Sequence, residues 1–240
     1  MKTYTIKKPK DIEKFKDEYG YKVNGNLEVE CDLDIQGRLL VEGYILTKAG
    51  GSIKAGEYIK AGEYIKAGEY IKAGGYIEAG ESIKAGESIE AGGYIEAGES
   101  IKAGESIEAG EYIKAGESIE AGEYIEAGES IEAGGYIEAG GSIKAGESIE
   151  AGCYYGISAG LSITCKGTLS FGLNAYAGIK TWGEATDEEK TITCGKLEKG
   201  HIEYGILKET GIPENEMVEI KISRSTLEEL RKQGIKIKSN

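Results

Sequence analysis

One stretch dictates what this chain can fold into. Over residues 53–152 the hexapeptide Ile-(Lys/Glu)-Ala-Gly-(Glu/Gly/Cys)-(Ser/Tyr) recurs without a break. Seventeen isoleucines stand at every sixth position from Ile53 to Ile149, each followed two residues on by Ala and three on by Gly. So short a unit cannot bury its own apolar side. Neighbouring units must stack, so the repeat predicts a quasi-one-dimensional array rather than a globular core.

The period is even, and this identifies the local structure. Ile53, Ala55, Ile59, Ala61 and their equivalents are all odd-numbered, with polar residues such as Lys54 and Tyr58 between them. Alternation of this kind is the mark of a strand with one face inward. The same parity begins before the hexads, at Leu27, Val29, Cys31, Leu33, Ile35, Leu39, Val41 and Ile45. It continues after them through Cys153, Tyr155, Ile157, Leu161, Ile163, Cys165, Leu169, Phe171, Leu173, Ala177 and Ile179. A one-residue slip would turn the isoleucines to water. One continuous β-structure over residues 27–179 is therefore expected, bent at corners that include Gly37 and Gly43.

Each hexad position then has a physical reading. Isoleucine is β-branched and fills a pleated interior, and its burial is worth about 1.5–3 kcal/mol. Alanine is small enough for the inside of a corner. Glycine allows the positive φ of a tight turn. The fifth residue has inward parity but can be swung out by that turn, and Ser or Tyr opens the next side.

Three sides of six residues make an 18-residue triangular coil; two sides make a flattened 12-residue coil. Tyr58, Tyr76, Tyr94 and Tyr112 lie 18 apart and would stack as a ladder, broken at Ser130. A 12-residue coil leaves more mixed columns, so three sides are preferred. The expected class is all-β, a single-stranded β-solenoid (β-helix), with helical caps and a small C-terminal α/β element.

The flanks supply the caps. Residues 1–26 carry a short strand at 2–6 and a helix at 9–19, with Pro9 in its first turn, Gly20 as its stop, and an apolar stripe of Ile12, Phe15 and Tyr19. A solenoid end needs such a cover, because an open coil exposes unpaired backbone. Residues 180–240 are expected to form the C-terminal cap. There, a loop at 180–190 with the run Asp187-Glu188-Glu189 precedes strand-like segments at 191–197, 201–207 and 217–223. A helix follows, with Ser225 and Glu228 as a capping box and Gly234 as its end.

Charge bounds the partners. The net charge is −13, and the 21 Glu and nine Lys of residues 48–152 account for −12 of it. An acidic rod disfavours nucleic acid and anionic membrane. No apolar run is long enough to span a bilayer, and residues 1–10 lack a signal-peptide core, so a cytoplasmic protein is expected. Cys31, Cys153, Cys165 and Cys194 show no CxxC pair and, with the single His201, make no zinc motif; buried free thiols are the expectation.

The hexads resemble the hexapeptide repeats of left-handed β-helix proteins, with the sizes of the two inward residues exchanged, which leaves handedness and cross-section open. That family's acyltransferase activity has no counterpart here beyond the hexad. Residues 25–43, GNLEVECDLDIQGRLLVEG, are similar to bactofilins, the polymer-forming bacterial cytoskeletal β-helices. Taken whole, the chain resembles Ile-Lys-Ala-Gly-rich repeat proteins of bacteria and their phages, a likeness that implies a solenoid and no activity.

No catalytic residues are expected, since identical rungs offer no pair of environments that would push two pKa values apart. No cofactor or metal is expected either: corner glutamates could form a calcium ladder, but the Asp- and Gly-rich nonapeptide of calcium-binding solenoids is absent. The candidate partner-binding residues are Tyr58, Tyr64, Tyr70 and Tyr76, the first three of which would put a tyrosine on every side of one level. The sequence thus points to a non-enzymatic structural or scaffold protein that associates with itself or with another protein. The alternative is a binding module recognising a glycan or protein through outward tyrosines or the C-terminal part.

Overall fold

The computed structural model describes residues 1–48, 50–180 and 183–211. Those residues form a β-solenoid with a single short helix. Three-residue strands, Ile53–Ala55, Ile59–Ala61, Ile65–Ala67 and onward to Ile149–Ala151, alternate with three-residue corners. Each strand pairs in parallel with the one 18 residues away: Ile71 with Ile53 and Ile89, Ile77 with Ile59 and Ile95, Ile83 with Ile65 and Ile101. The coil is therefore three-sided. Its faces are named here by Ile65, Ile71 and Ile77.

The Ile71 face is a ten-stranded parallel sheet from Leu33–Ile35 to Ile206–Glu209. At about 4.8 Å per layer the rod is about 43 Å long. The other two faces merge into one sheet because Thr168–Ala177 runs across their shared corner, pairing with Ile149 on one side of it and Ile157 on the other. The repeat isoleucines are 0–1% exposed and line the whole interior, with the alanines beside them.

The hexad glycines fill a different role from the one expected of them. None has positive φ; that conformation falls on Gly20, Gly25, Gly50, Gly178 and four glycines between 183 and 211. The constraint is close approach. A Cβ built on Gly92 would fall inside the carbonyl oxygen of Gly74, one layer nearer the N-terminus, and the same clash recurs at Gly98, Gly110, Gly116 and Gly128. Backbone must touch backbone at the corner for the layers to bond. The Gly92 N–H donates to the Ala73 carbonyl (3.1 Å), and the Ile95 N–H donates the other way, to the Tyr112 carbonyl (3.0 Å).

Two of the layers that carry or border the hexads are longer by a short insertion. Ile45 pairs with Ile65 and Ile137 with Ile157, each 20 residues apart. Each insertion adds two residues, so parity survives. At the first, Thr47 replaces the inward alanine and is buried. Its hydroxyl donates to the Gly51 carbonyl (2.7 Å) and accepts from the Gly68 N–H (2.9 Å). At the second, Tyr154 and Tyr155 are pushed outward, 79% and 46% exposed.

From Leu27 to Ile179 parity thus governs strands and fails at corners; beyond the loop the buried face includes even positions such as Ile192 and Cys194. Cys153, Tyr155, Leu173 and Ile179, all odd and expected inward, are exposed, whereas Cys165 and Cys194 are buried as strand residues. Cys31 is half-buried. Gly37 and Gly43 do lie in bends between strands.

The N-terminal helix is shorter than its apolar stripe suggested. It is a 3-10 helix, Pro9–Phe15. Lys16–Asp17 instead pairs antiparallel with Gly20 and Tyr21 in a tight hairpin. Asp17 accepts the Tyr19 N–H (2.8 Å), and Gly20 takes φ +142°. Tyr19 therefore points to solvent, while Ile12 joins the core and Phe15 meets the edge of Tyr4, centroids 4.9 Å apart. Thr3–Ile6 stacks on the Ile65 face and Gly20–Val23 on the Ile77 face, so the helix between them takes the third side of the first layer.

At the other end the ladders run past Ile179, into the stretch expected as the C-terminal cap. Thr191–Cys194, Lys196–Tyr204 and Ile206–Glu209 stack in parallel on earlier strands after a loop. In that loop Lys180 binds Glu189 (2.8 Å), which also accepts the Thr186 N–H. The strand expected at 217–223 and the helix around Ser225, Glu228 and Gly234 lie outside the described residues, as does Trp182.

The close approach is testable in paired variants. Gly92→Ala should destabilise by about 1–3 kcal/mol or more, since backbone must move to admit the methyl group. Gly93→Ala, whose Cβ would meet its nearest neighbour at 3.4 Å, should stay within about 0.5 kcal/mol. Urea denaturation of the two variants reads the difference. Equal losses would mean that glycine is needed for flexibility and not for space.

Candidate functional site

Because the coil repeats every 18 residues, side chains 18 apart share a column up the rod. The strand-centre positions sort into charge pairs this way. Lys60 meets Glu78 (2.7 Å) and Lys114 meets Glu132 (2.9 Å); Lys72 with Glu90, Lys102 with Glu120, and Lys144 with Glu126 repeat the pattern. Such exposed pairs contribute about 0–1 kcal/mol each. The fifth hexad position points outward, and serines relieve its carboxylates: Ser52 donates to Glu69 (2.9 Å), Ser82 to Glu99 (2.9 Å) and Ser100 to Glu117 (3.2 Å).

The tyrosines make the most differentiated surface. Tyr58, Tyr76, Tyr94 and Tyr112 stack face to face beside the Ile77 face, with centroids 4.5, 4.8 and 4.9 Å apart and planes within 7°. Burial against neighbouring rings raises the phenol pKa of both Tyr76 and Tyr94 to about 12. Tyr112 is raised by burial and by Glu96, to which its hydroxyl donates (3.4 Å).

Of the four tyrosines singled out from the sequence, the structure brings together only two. Tyr58 and Tyr76 are adjacent rungs of the ladder. Tyr64 stacks instead on Tyr44, at another corner (4.9 Å). Tyr70 stands at the third corner, 37% exposed. Tyr58, Tyr64 and Tyr70 open three consecutive strands and so lie on three different sides of the rod.

Both ends of the ladder are chemically distinct. At the N-terminal end the column position is held by Arg38, which precedes Leu39 as Tyr58 precedes Ile59. Its Nη1 donates to the Tyr58 hydroxyl (3.2 Å) and its Nη2 to the Asp17 carboxylate (2.8 Å). At the other end Ser130 replaces tyrosine. Below Tyr112 this opens a hollow of about 400 Å³, lined by Glu96, Tyr112, Ile113, Lys114, Glu129, Ser130 and Glu132. A similar hollow of about 390 Å³ lies below Tyr124, where Ser142 and Leu161 form part of the lining.

Sequence spacing alone revealed the ladder and its break. It missed Arg38, because the two-residue insertion puts that residue 20 and not 18 positions from Tyr58. A search allowing even insertions would have found it. His201 is exposed on Lys196–Tyr204, 3.7 Å from Glu203. Among the described residues no group of three or more His, Cys, Asp or Glu is placed to hold a metal ion. None of their helices is long and apolar enough to cross a membrane.

No protein-family model matches the chain, and neither a curated protein nor a solved structure matches it.

Two measurements check this surface. An unfolded tyrosine ionises near pH 10. Between that pH and the folded value of about 12 for Tyr76 and Tyr94, the native state binds more protons than the unfolded state. Their contribution is whole below pH 10 and is lost as pH rises through 12. The double variant Tyr76→Phe/Tyr94→Phe should therefore lose less stability across that window, followed by urea denaturation at stepped pH.

The thiols give the second measurement. Burial raises the Cys165 pKa to about 12 and also raises that of Cys194. A disulfide reagent at neutral pH should label Cys153 quickly and Cys165 and Cys194 only on unfolding. Fast labelling that survives Cys153→Ser and maps to Cys165 would contradict the packing.

Proposed function

We propose that this chain is a non-enzymatic structural rod that serves as a scaffold and associates with further copies of itself. One observation carries the reading: from Ile53 to Ala151 every layer repeats the same three strands in the same register, so length and straightness are what the sequence specifies. The four thiols, none in a disulfide, suit a reducing compartment such as the cytoplasm. Light scattering across a concentration series tests self-association. A reversible rise in mass is expected. A mass fixed at 25.6 kDa up to high concentration would count against it.

A second reading is a binding module, favoured by Tyr70 and Tyr124, which are 37% and 38% exposed at one corner. A protein partner suits the tyrosines better than a glycan. Sugars stack on ring faces, and within the ladder those faces are covered by neighbouring rings. Replacing Tyr58, Tyr64 and Tyr70 by serine, the residue that alternates with tyrosine in the hexad, removes two ring stacks worth about 0.5–1.5 kcal/mol each, should leave the chain folded, and should abolish capture of any partner that uses them.

A further inference from the structure

We propose that the hollow beneath Tyr112 binds a guanidinium group, carried either by a protein's arginine side chain or by a free small molecule. Four observations converge on that chemistry.

The first is shape. Four tyrosine rings follow one another at 4.5–4.9 Å, and the fifth position of the column is Ser130. The lower face of Tyr112 therefore has no ring beneath it. The Ser130 hydroxyl turns to Ser148 (3.0 Å) and does not fill the slot. What is left is a space bounded on one side by a flat aromatic face. It selects for a planar group at ring-stacking distance.

The second is charge. Glu96, Glu129 and Glu132 line the hollow against one cation, Lys114. Lys114 is held by both oxygens of Glu132 (2.9 and 3.0 Å). The remaining balance is negative, so the group that fits is a cation. A cation over an aromatic face gains from the ring quadrupole as well as from the carboxylates.

The third is the opposite end of the same column. There the ladder is closed by a guanidinium from the chain itself: Arg38 bridges the Tyr58 hydroxyl (3.2 Å) and the Asp17 carboxylate (2.8 Å). The open end likewise presents a tyrosine beside carboxylates, with no arginine among its lining residues. A planar fork with several N–H donors can stack and bind carboxylates together, which a lysine ammonium cannot.

The fourth is size. A volume of about 400 Å³ has room for a guanidinium and its alkyl stem.

The test is a solution NMR titration of the full chain with three probes: arginine amide, lysine amide and the blocked tripeptide Gly-Arg-Gly. Saturable shifts at Tyr112, Ile113, Glu129 and Ser130 are expected with the two arginine probes, with Kd on the order of 1 mM. The tripeptide binding more tightly would assign the source to a protein side chain; arginine amide binding more tightly would assign it to a small molecule. Ser130→Tyr extends the ladder by one ring, in a hexad that accepts tyrosine elsewhere, and should abolish the saturable response while the amide spectrum stays folded. The double variant Glu129→Gln/Glu132→Gln keeps the slot and should weaken binding roughly threefold or more. Equal binding of lysine amide and arginine amide, or full binding by Ser130→Tyr, would overturn the proposal, as would shifts centred on the hollow below Tyr124.

Discussion

The structure depends on a backbone contact at the corners. The fourth-position glycines from Gly74 to Gly152 bring their α-carbons against a carbonyl oxygen of the preceding layer, so that N–H and C=O groups can bond from one layer to the next. Strands of three residues make few bonds of their own. The ladder holds because the corners bond too: the Glu99 N–H reaches the Glu81 carbonyl (3.0 Å), as the Gly98 N–H reaches that of Ala79 (3.1 Å). The N–H groups of the fourth and fifth hexad positions are thereby paired from layer to layer, so they are not left unsatisfied beside the dry interior. Glycine sits at these corners for lack of a side chain rather than for conformational freedom.

Once that contact fixes the pitch, the outer surface follows. Residues 18 apart are held one layer from each other, so any choice made at one hexad is read against the same position three hexads on. Opposite charges pair, serines serve the glutamate of the next layer, and tyrosines stack. Within the hexads the interior shows no such variation, since isoleucine and alanine recur at every rung from Ile53 to Ala151. Diversity is therefore confined to the second, fifth and sixth hexad positions. A chemically distinct spot can arise only where a column changes identity or where the period is interrupted.

Three such places stand out. Two are the even insertions, one following Thr47 and one around Cys153–Tyr155, which lengthen a layer without turning the core outward. The third is the tyrosine ladder, whose two ends differ in a way its middle rungs do not. Arg38 closes one end through two hydrogen bonds, and the other opens on the hollow below Tyr112. The uniform rod and the differentiated column end can coexist in one molecule, because a ladder has to stop somewhere and its last ring keeps an uncovered face.

The residue pattern by itself determined the strand, the inside and the count of sides. Even spacing of isoleucine gave the inward face, and tyrosines 18 apart gave the coil, because both are periodicities that survive without coordinates. The tertiary structure alone decided what distant backbone does at one point. It showed that the corner glycines answer to a carbonyl of another layer, and that odd residues such as Cys153 and Leu173 turn out at corners. It also showed that Asp17 and Gly20 end the first helix early, and that strands beyond Ile179 rejoin the stack. Arg38 belongs to the same group, since its place at the head of the ladder depends on an insertion that changes the spacing by two. The physical reason is one of range. Side-chain alternation is a local property of the strand, whereas contact between layers depends on the conformation of every residue in the coil between them.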